Sequence, residues 1–181
     1  MKINQNYILI LLILLTTIVN VDAQSEHHYL IKSAQVNYIY SGDFSGNESL
    51  VFDDYGSAEL LIKKLHASND RKTTETKTIR LHNTLVEINM HTLTKQIIPL
   101  QHNINTNKTV DMLKAGNFKK TGTESIAGFT CQKYSGEMGM MCIWKGIVLK
   151  SEINITDKKM IKTAALVDTV STLEPSLFSI K

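Results

Sequence analysis

Both cysteines and the only tryptophan of the chain lie in one stretch, CQKYSGEMGMMCIW, from Cys131 to Trp144. Met138, Met140, Met141 and Cys142 crowd its second half. Three chemistries fit these residue types: a disulfide staple, a reactive thiol pair, or a soft-ligand site of the kind that selects Cu(I). A redox pair is more commonly spaced C-x-x-C, whereas these cysteines stand eleven positions apart. On a strand Met138, Met140 and Cys142 share a face while Met141 points away, and methionines at alternating strand positions commonly fill gaps in an apolar core. No metal and no cofactor is therefore expected. With Gly136-Glu137 as a two-residue turn, Ser135 closes against Met138, Cys131 faces Cys142, Phe129 faces Trp144 and Lys133 faces Met140. A Cys131–Cys142 disulfide is the reading adopted, with two buried free thiols as the alternative. Phe129, Met140 and Trp144 fall on one strand face and are the expected wall of any apolar site near its opening.

Other reactive residue types lack a partner at the right spacing. His27-His28 reads as a solvated pair, and His66, His82, His91 and His102 show no paired metal spacing. No serine lies in a G-x-S-x-G setting, and Asp53-Asp54 in FDDYG reads as turn chemistry with Gly56 supplying positive φ. The chain is not expected to be an enzyme. Three N-x-S/T sites, at Asn47, Asn107 and Asn154, are glycan acceptors only in a eukaryotic secretory path.

The elements that must position these residues are mostly strands. Val36/Tyr38/Tyr40 and Val86/Ile88/Met90 alternate with polar or opposite-face residues, the period of a half-buried strand. Turn signals punctuate the runs at SGDFSGN, DDYGS, SNDR, KTGT and TDKK. One helix is expected in TVDMLKAGNF, with Thr109 as N-cap and Asp111 in its first turn. Ala58 to His66 reads as strand, and STLEPSLF as one more short turn. A meander of this size either closes, packs on a second sheet, or curls around helices and so encloses a cavity.

The N-terminus has one lysine, Lys2, an uncharged run from Ile8 to Val19, and then Val21-Asp22-Ala23, small enough for signal-peptidase cleavage after Ala23. That run is well short of the roughly 20 residues that span a bilayer. Residues 1–23 are thus expected to be a signal peptide, and 24–181 a single β-rich domain exported to the periplasm or the medium without a stable membrane anchor. The formal charge is +3, from 20 Lys+Arg against 17 Asp+Glu. Basic residues occur as scattered pairs, Lys63-Lys64, Lys119-Lys120 and Lys158-Lys159, rather than in a block, which argues against a nucleic-acid surface and reads as solvated strand ends.

Several phrases carry a resemblance: FDDYG at Phe52 to Gly56, GTESIAGFTC at Gly122 to Cys131, CIWKGIVLK at Cys142 to Lys150, and Leu177-Phe178 near the end. Together they resemble an exported family of unknown function from Bacteroidetes-type bacteria, with G-x-E-x-[VI]-x-G-[FY]-x-C and C-x-W-[KR]-G-I-x-L-K signatures. That family in turn is similar to the LolA-like periplasmic lipoprotein carriers. The resemblance implies a mainly β fold, an incomplete half-barrel whose curved antiparallel sheet is covered on its concave face by one or two short helices. It also implies an apolar cavity for acyl chains, with a lipid or a lipoprotein as the partner of a monomeric chain. The competing expectation is a filled β domain serving as a structural or interaction module of the cell envelope.

Overall fold

The computed structural model describes residues 27–68, 73–100, 108–155 and 157–179; the expected signal peptide, His102 and Asn107 lie outside the described residues. The strands are β1 (Ala34–Gly42), β2 (Phe44–Asp53), β3 (Ala58–Ala67), β4 (Thr73–Leu81), β5 (Thr84–Asn89), β6 (Lys95–Pro99), β7 (Lys119–Ile126), β8 (Phe129–Gly136), β9 (Gly139–Trp144), β10 (Ile147–Ile155) and β11 (Lys158–Asp168). Among the described residues there is one α-helix, α1 (Lys108–Ala115), between β6 and β7. All eleven strands form one antiparallel sheet in the order β6-β5-β4-β3-β2-β1-β11-β10-β9-β8-β7. Two meanders, β1–β6 and β7–β11, are thus joined through the β1–β11 ladder, and β6 and β7 remain as edges. The mainly β, curved half-barrel with short helices is the architecture anticipated above.

Alternation sets what each face buries. Ala34, Val36, Tyr38 and Tyr40 are buried on β1, and the register puts Phe52, Leu50 and Glu48 of β2 beside the first three. The larger core cluster joins Tyr29, Val36, Tyr38, Leu50 and Phe52 to Cys131, Cys142, Ile147 and Leu149. A second cluster, Val51, Leu60, Ile79 and Val86, uses the opposite face of β2–β5 and is covered by Phe178 and Leu173 of the C-terminal segment. Phe178 sits in the short 3-10 turn Pro175–Phe178 expected from STLEPSLF. Ala58–Ala67 is a strand, and DDYGS forms a 3-10 turn at Asp54–Gly56 in which Asp53 Oδ1 accepts the Asp54 N–H and Gly56 takes φ +97°.

Two local expectations are corrected. KTGT is no turn: Lys120–Thr123 runs inside β7, where a register shift between Lys120 and Gly122 absorbs an extra residue, and the chain reverses at Ala127-Gly128. In the cysteine hairpin the turn falls at Glu137-Met138, so Gly136 pairs with Gly139, Ser135 with Met140 and Lys133 with Cys142. Gly139 is needed in the ladder itself, because a Cβ there would stand 1.9 Å from the Glu152 carbonyl oxygen of β10. The shift moves partners by two residues and so preserves the faces. Cys131 and Cys142, displaced by two residues along the ladder, still stand 5.4 Å apart at Cα and are joined in a disulfide.

Candidate functional site

The curved sheet and α1 border an open cavity of about 590 Å³. Its sheet side is lined by residues of five strands: Tyr38 of β1, Glu48 and Leu50 of β2, Glu59 and Leu61 of β3, Ile147 and Val148 of β10, and Lys162 of β11. Asp111, Met112 and Ala115 of α1 face them. His28 and Tyr29 close one end, because the segment before β1 is threaded between two turns. There Tyr29 N–H donates to the Tyr55 carbonyl at 3.1 Å and Leu30 N–H to the Lys145 carbonyl at 3.0 Å.

The helix is pinned at both ends. Thr109, expected as N-cap, lies within α1, and its buried hydroxyl donates to the Gly146 carbonyl at 2.8 Å. Gly146 has φ +86°, and a Cβ there would stand 2.9 Å from the His28 carbonyl oxygen, so one glycine admits both the turn and the N-terminal segment. At the other end Gly116 packs on Gly136, where a Cβ would meet the Gly116 oxygen at 2.8 Å. With eight residues, α1 falls short of the roughly 12–15 that an isolated helix needs, so these anchors carry it.

Two polar clusters sit in the otherwise apolar lining. Glu48, 6% exposed, accepts the Tyr40 hydroxyl at 2.6 Å and the Lys162 ammonium at 3.0 Å, and Lys162 also lies 4.5 Å above the Tyr38 ring. Glu59 accepts the Tyr29 hydroxyl at 3.1 Å, with Arg80 4.0 Å away. Arg80 donates to His28 Nδ1 at 2.8 Å, since a guanidinium has no acceptor. His28 is therefore buried, not solvated as its place in the sequence suggested; it stacks on Tyr29, which stacks on Phe52. Burial first, and then the carboxylates, raise the phenols of Tyr29, Tyr38 and Tyr40 above their ordinary range: Glu59 for Tyr29, and Glu48 for the other two. Each carboxylate thus accepts from a phenol that stays protonated and has a cation within 4.0 Å. This arrangement positions walls and charges; it does not poise a nucleophile against a base.

The residues singled out from sequence, Phe129, Met140 and Trp144, are not among those that line this cavity. Phe129 and Trp144 are 4.4 Å apart at the ring centroids, tilted by 50°, and both pack against the larger core cluster. Trp144 pairs with the lining residue Ile147 across β9 and β10, while Met140 is half-buried opposite Ser135 and Glu152. Tyr38, Glu48, Glu59, Leu61 and Lys162 were not anticipated as site residues. Their signal was present in the alternation: a charged residue at an inward strand position, as at Glu48 and Lys162, must be paired or must face a cavity.

No family model and no curated protein matches the chain. Among solved structures it is similar to MucB in the MucA/MucB complex of Pseudomonas aeruginosa, with a TM-score of 0.52 at 10% identity over 87% of this chain and 59% of that one. A structure of MucB alone gives 0.48 at 9% identity, over 88% of this chain and 60% of that one. LprF from Mycobacterium bovis gives 0.41 at 10% identity, over 86% and 94%. The chain therefore spans about three fifths of the MucB length. At such identity the likeness to the MucA/MucB structure speaks to fold alone, and it agrees with an open half-barrel built from one curved antiparallel sheet.

Proposed function

We propose that this chain is an exported, non-catalytic carrier that holds an apolar ligand, a lipid or the acyl part of a lipid-modified protein, in the half-barrel cavity. The observation that carries this reading is the space between α1 and the sheet: about 590 Å³ lies within the roughly 300–1,000 Å³ typical of ligand pockets, and a filled structural domain has no use for it. Leu50, Leu61, Met112, Ala115, Ile147 and Val148 supply the hydrocarbon surface. Phe129, Met140 and Trp144 extend that wall beyond Ile147 in this reading. MucB is found in complex with another protein, MucA, which supports a protein that delivers or receives the ligand as the partner.

The test is native mass spectrometry of the protein from its own host, followed by lipid extraction and titration with fatty acids of graded length. Each methylene buried contributes about 0.8 kcal/mol, so affinity should rise about fourfold per added methylene until the cavity is full. Ala115→Phe, which adds a ring on the cavity side of α1, should weaken binding at least tenfold without unfolding the sheet. A brominated fatty acid should quench Trp144, the only tryptophan. An empty protein with no chain-length dependence would leave the envelope structural module as the better account.

A further inference from the structure

The three lysine pairs that look scattered in the sequence converge in the fold. Strand direction alternates around the sheet, so the start of β7, the start of β11 and the far part of β3 all lie toward one end of the half-barrel. That end carries Lys63-Lys64, Lys119-Lys120 and Lys158-Lys159, and also Lys95 at the start of β6. Asp43, Glu75, Glu137 and Asp157 stand against them. Lys159 is held by Glu152 at 2.8 Å, but among the described residues Lys63, Lys64, Lys95, Lys119, Lys120 and Lys158 make no ion pair. The opposite end, where His27–Lys32 packs, has the reverse balance. It holds Asp53, Asp54, Glu59, Asp168 and Glu174 against Lys32, Arg80 and Lys145.

The basic end also presents apolar tips. Met90 and Leu93, 40% and 74% exposed, form the β5–β6 turn, and Met138, 56% exposed, forms the β8–β9 turn. The first hairpin includes the edge strand β6, and the second lies next to the other edge strand, β7. The first tip is rigidly built: Asn89 Oδ1 accepts the N–H groups of His91 and Thr92, and Met90 N–H donates to the Glu75 carbonyl. Leu93 sits there at φ +54°, a conformation in which Asn or Gly is usual.

We infer that this end docks on an anionic lipid bilayer, with the lysines over the phosphates and Met90, Leu93 and Met138 in the interface. Unpaired lysines alone would suit any polyanion; apolar side chains standing out among them suit a surface with hydrocarbon beneath its charge. The inference goes beyond the cavity reading and does not need it.

The test is co-sedimentation of the full chain with vesicles of phosphatidylcholine containing one third phosphatidylglycerol, and with phosphatidylcholine alone. Binding is expected only to the anionic vesicles, and should be lost at about 1 M salt, where screening acts over about 3 Å. Lys119→Gln with Lys120→Gln should lower partitioning about 25-fold, at about fivefold per lysine. Leu93→Asn should weaken binding while leaving its salt dependence unchanged. All three positions are exposed, so circular dichroism should match the parent. Equal binding to both vesicles, binding to neither, or capture by a soluble polyanion but not by vesicles would overturn the inference. Fatty-acid binding measured without vesicles reports on the cavity separately.

Discussion

Glu48 shows how much a single inward charge can decide. It is buried on β2, and its two oxygens are taken by Tyr40 and by Lys162. Glu48→Ala strands an ammonium that is only 22% exposed together with a phenol, so the loss should exceed that of an ordinary hydrogen bond. We expect a fall of about 2–3 kcal/mol in unfolding free energy by urea titration. The double variant Glu48→Leu with Lys162→Met should lose less than Glu48→Ala, because it removes both charges; a double variant as unstable as the single one would show that packing, not pairing, sets the cost. The disulfide is a second residue-scale case. Closing a loop of eleven positions should contribute about 3 kcal/mol in the chain-entropy model, so Cys131→Ala with Cys142→Ala should lower stability by about that amount in the same assay.

At the scale of elements, α1 depends on what holds its ends. Thr109→Val removes the hydroxyl that donates to the Gly146 carbonyl while keeping the shape, and should cost about 1 kcal/mol. Its sharper signature should be local: amide exchange over Thr109–Ala115 should quicken while the β1–β2 ladder exchanges as before, and a uniform change across both would refute the anchoring role. The helix itself was legible, since Thr109 as a capping residue type and Asp111 in the first turn mark it in the sequence. The anchor was not, because a hydroxyl that caps its own helix and one that reaches a turn 37 residues away look identical in one dimension. The cysteine hairpin teaches the same lesson. A glycine in the first turn position suggested Gly136-Glu137, but Gly136 and Gly139 are needed for close approach of Gly116 and of Glu152, contacts made by elements distant in sequence. The pairing of the cysteines survived because a shift of two residues leaves the faces unchanged.

Across the whole molecule, the curved sheet was legible because its strands alternate; the alternation also carries the inward charges, but which of the inward positions line a cavity depends on curvature. Tyr29, Tyr38 and Tyr40 gather on the inward side through the segment before β1 and through β1 itself, and this concentration gives the fold an alkaline limit. Burial, followed by Glu59 or Glu48, raises each phenol in the folded state. The unfolded chain releases these protons near pH 10, the folded chain only well above it. A raised folded value means that the contribution is complete below about pH 10 and is lost as pH climbs toward the folded value. Stability should therefore be flat on approaching pH 10 and then fall by up to about 1.4 kcal/mol per pH unit for each tyrosine, so that three together drive unfolding within a few units. Glu152 acts at the acid end with the opposite sign. Lys159 holds its carboxyl low, against a smaller opposing effect of burial, so its modest contribution is present above the ordinary glutamate value and lost as pH falls through the folded one. Urea unfolding across the alkaline range, read beside tyrosinate absorbance, checks the larger effect. Tyrosinate should appear in two stages, the more accessible phenols first and the inward three only together with loss of the fold. If all ionise near pH 10 while the sheet stays folded, water reaches the inner side of β1 freely, and the dry wall that an acyl chain requires is not there.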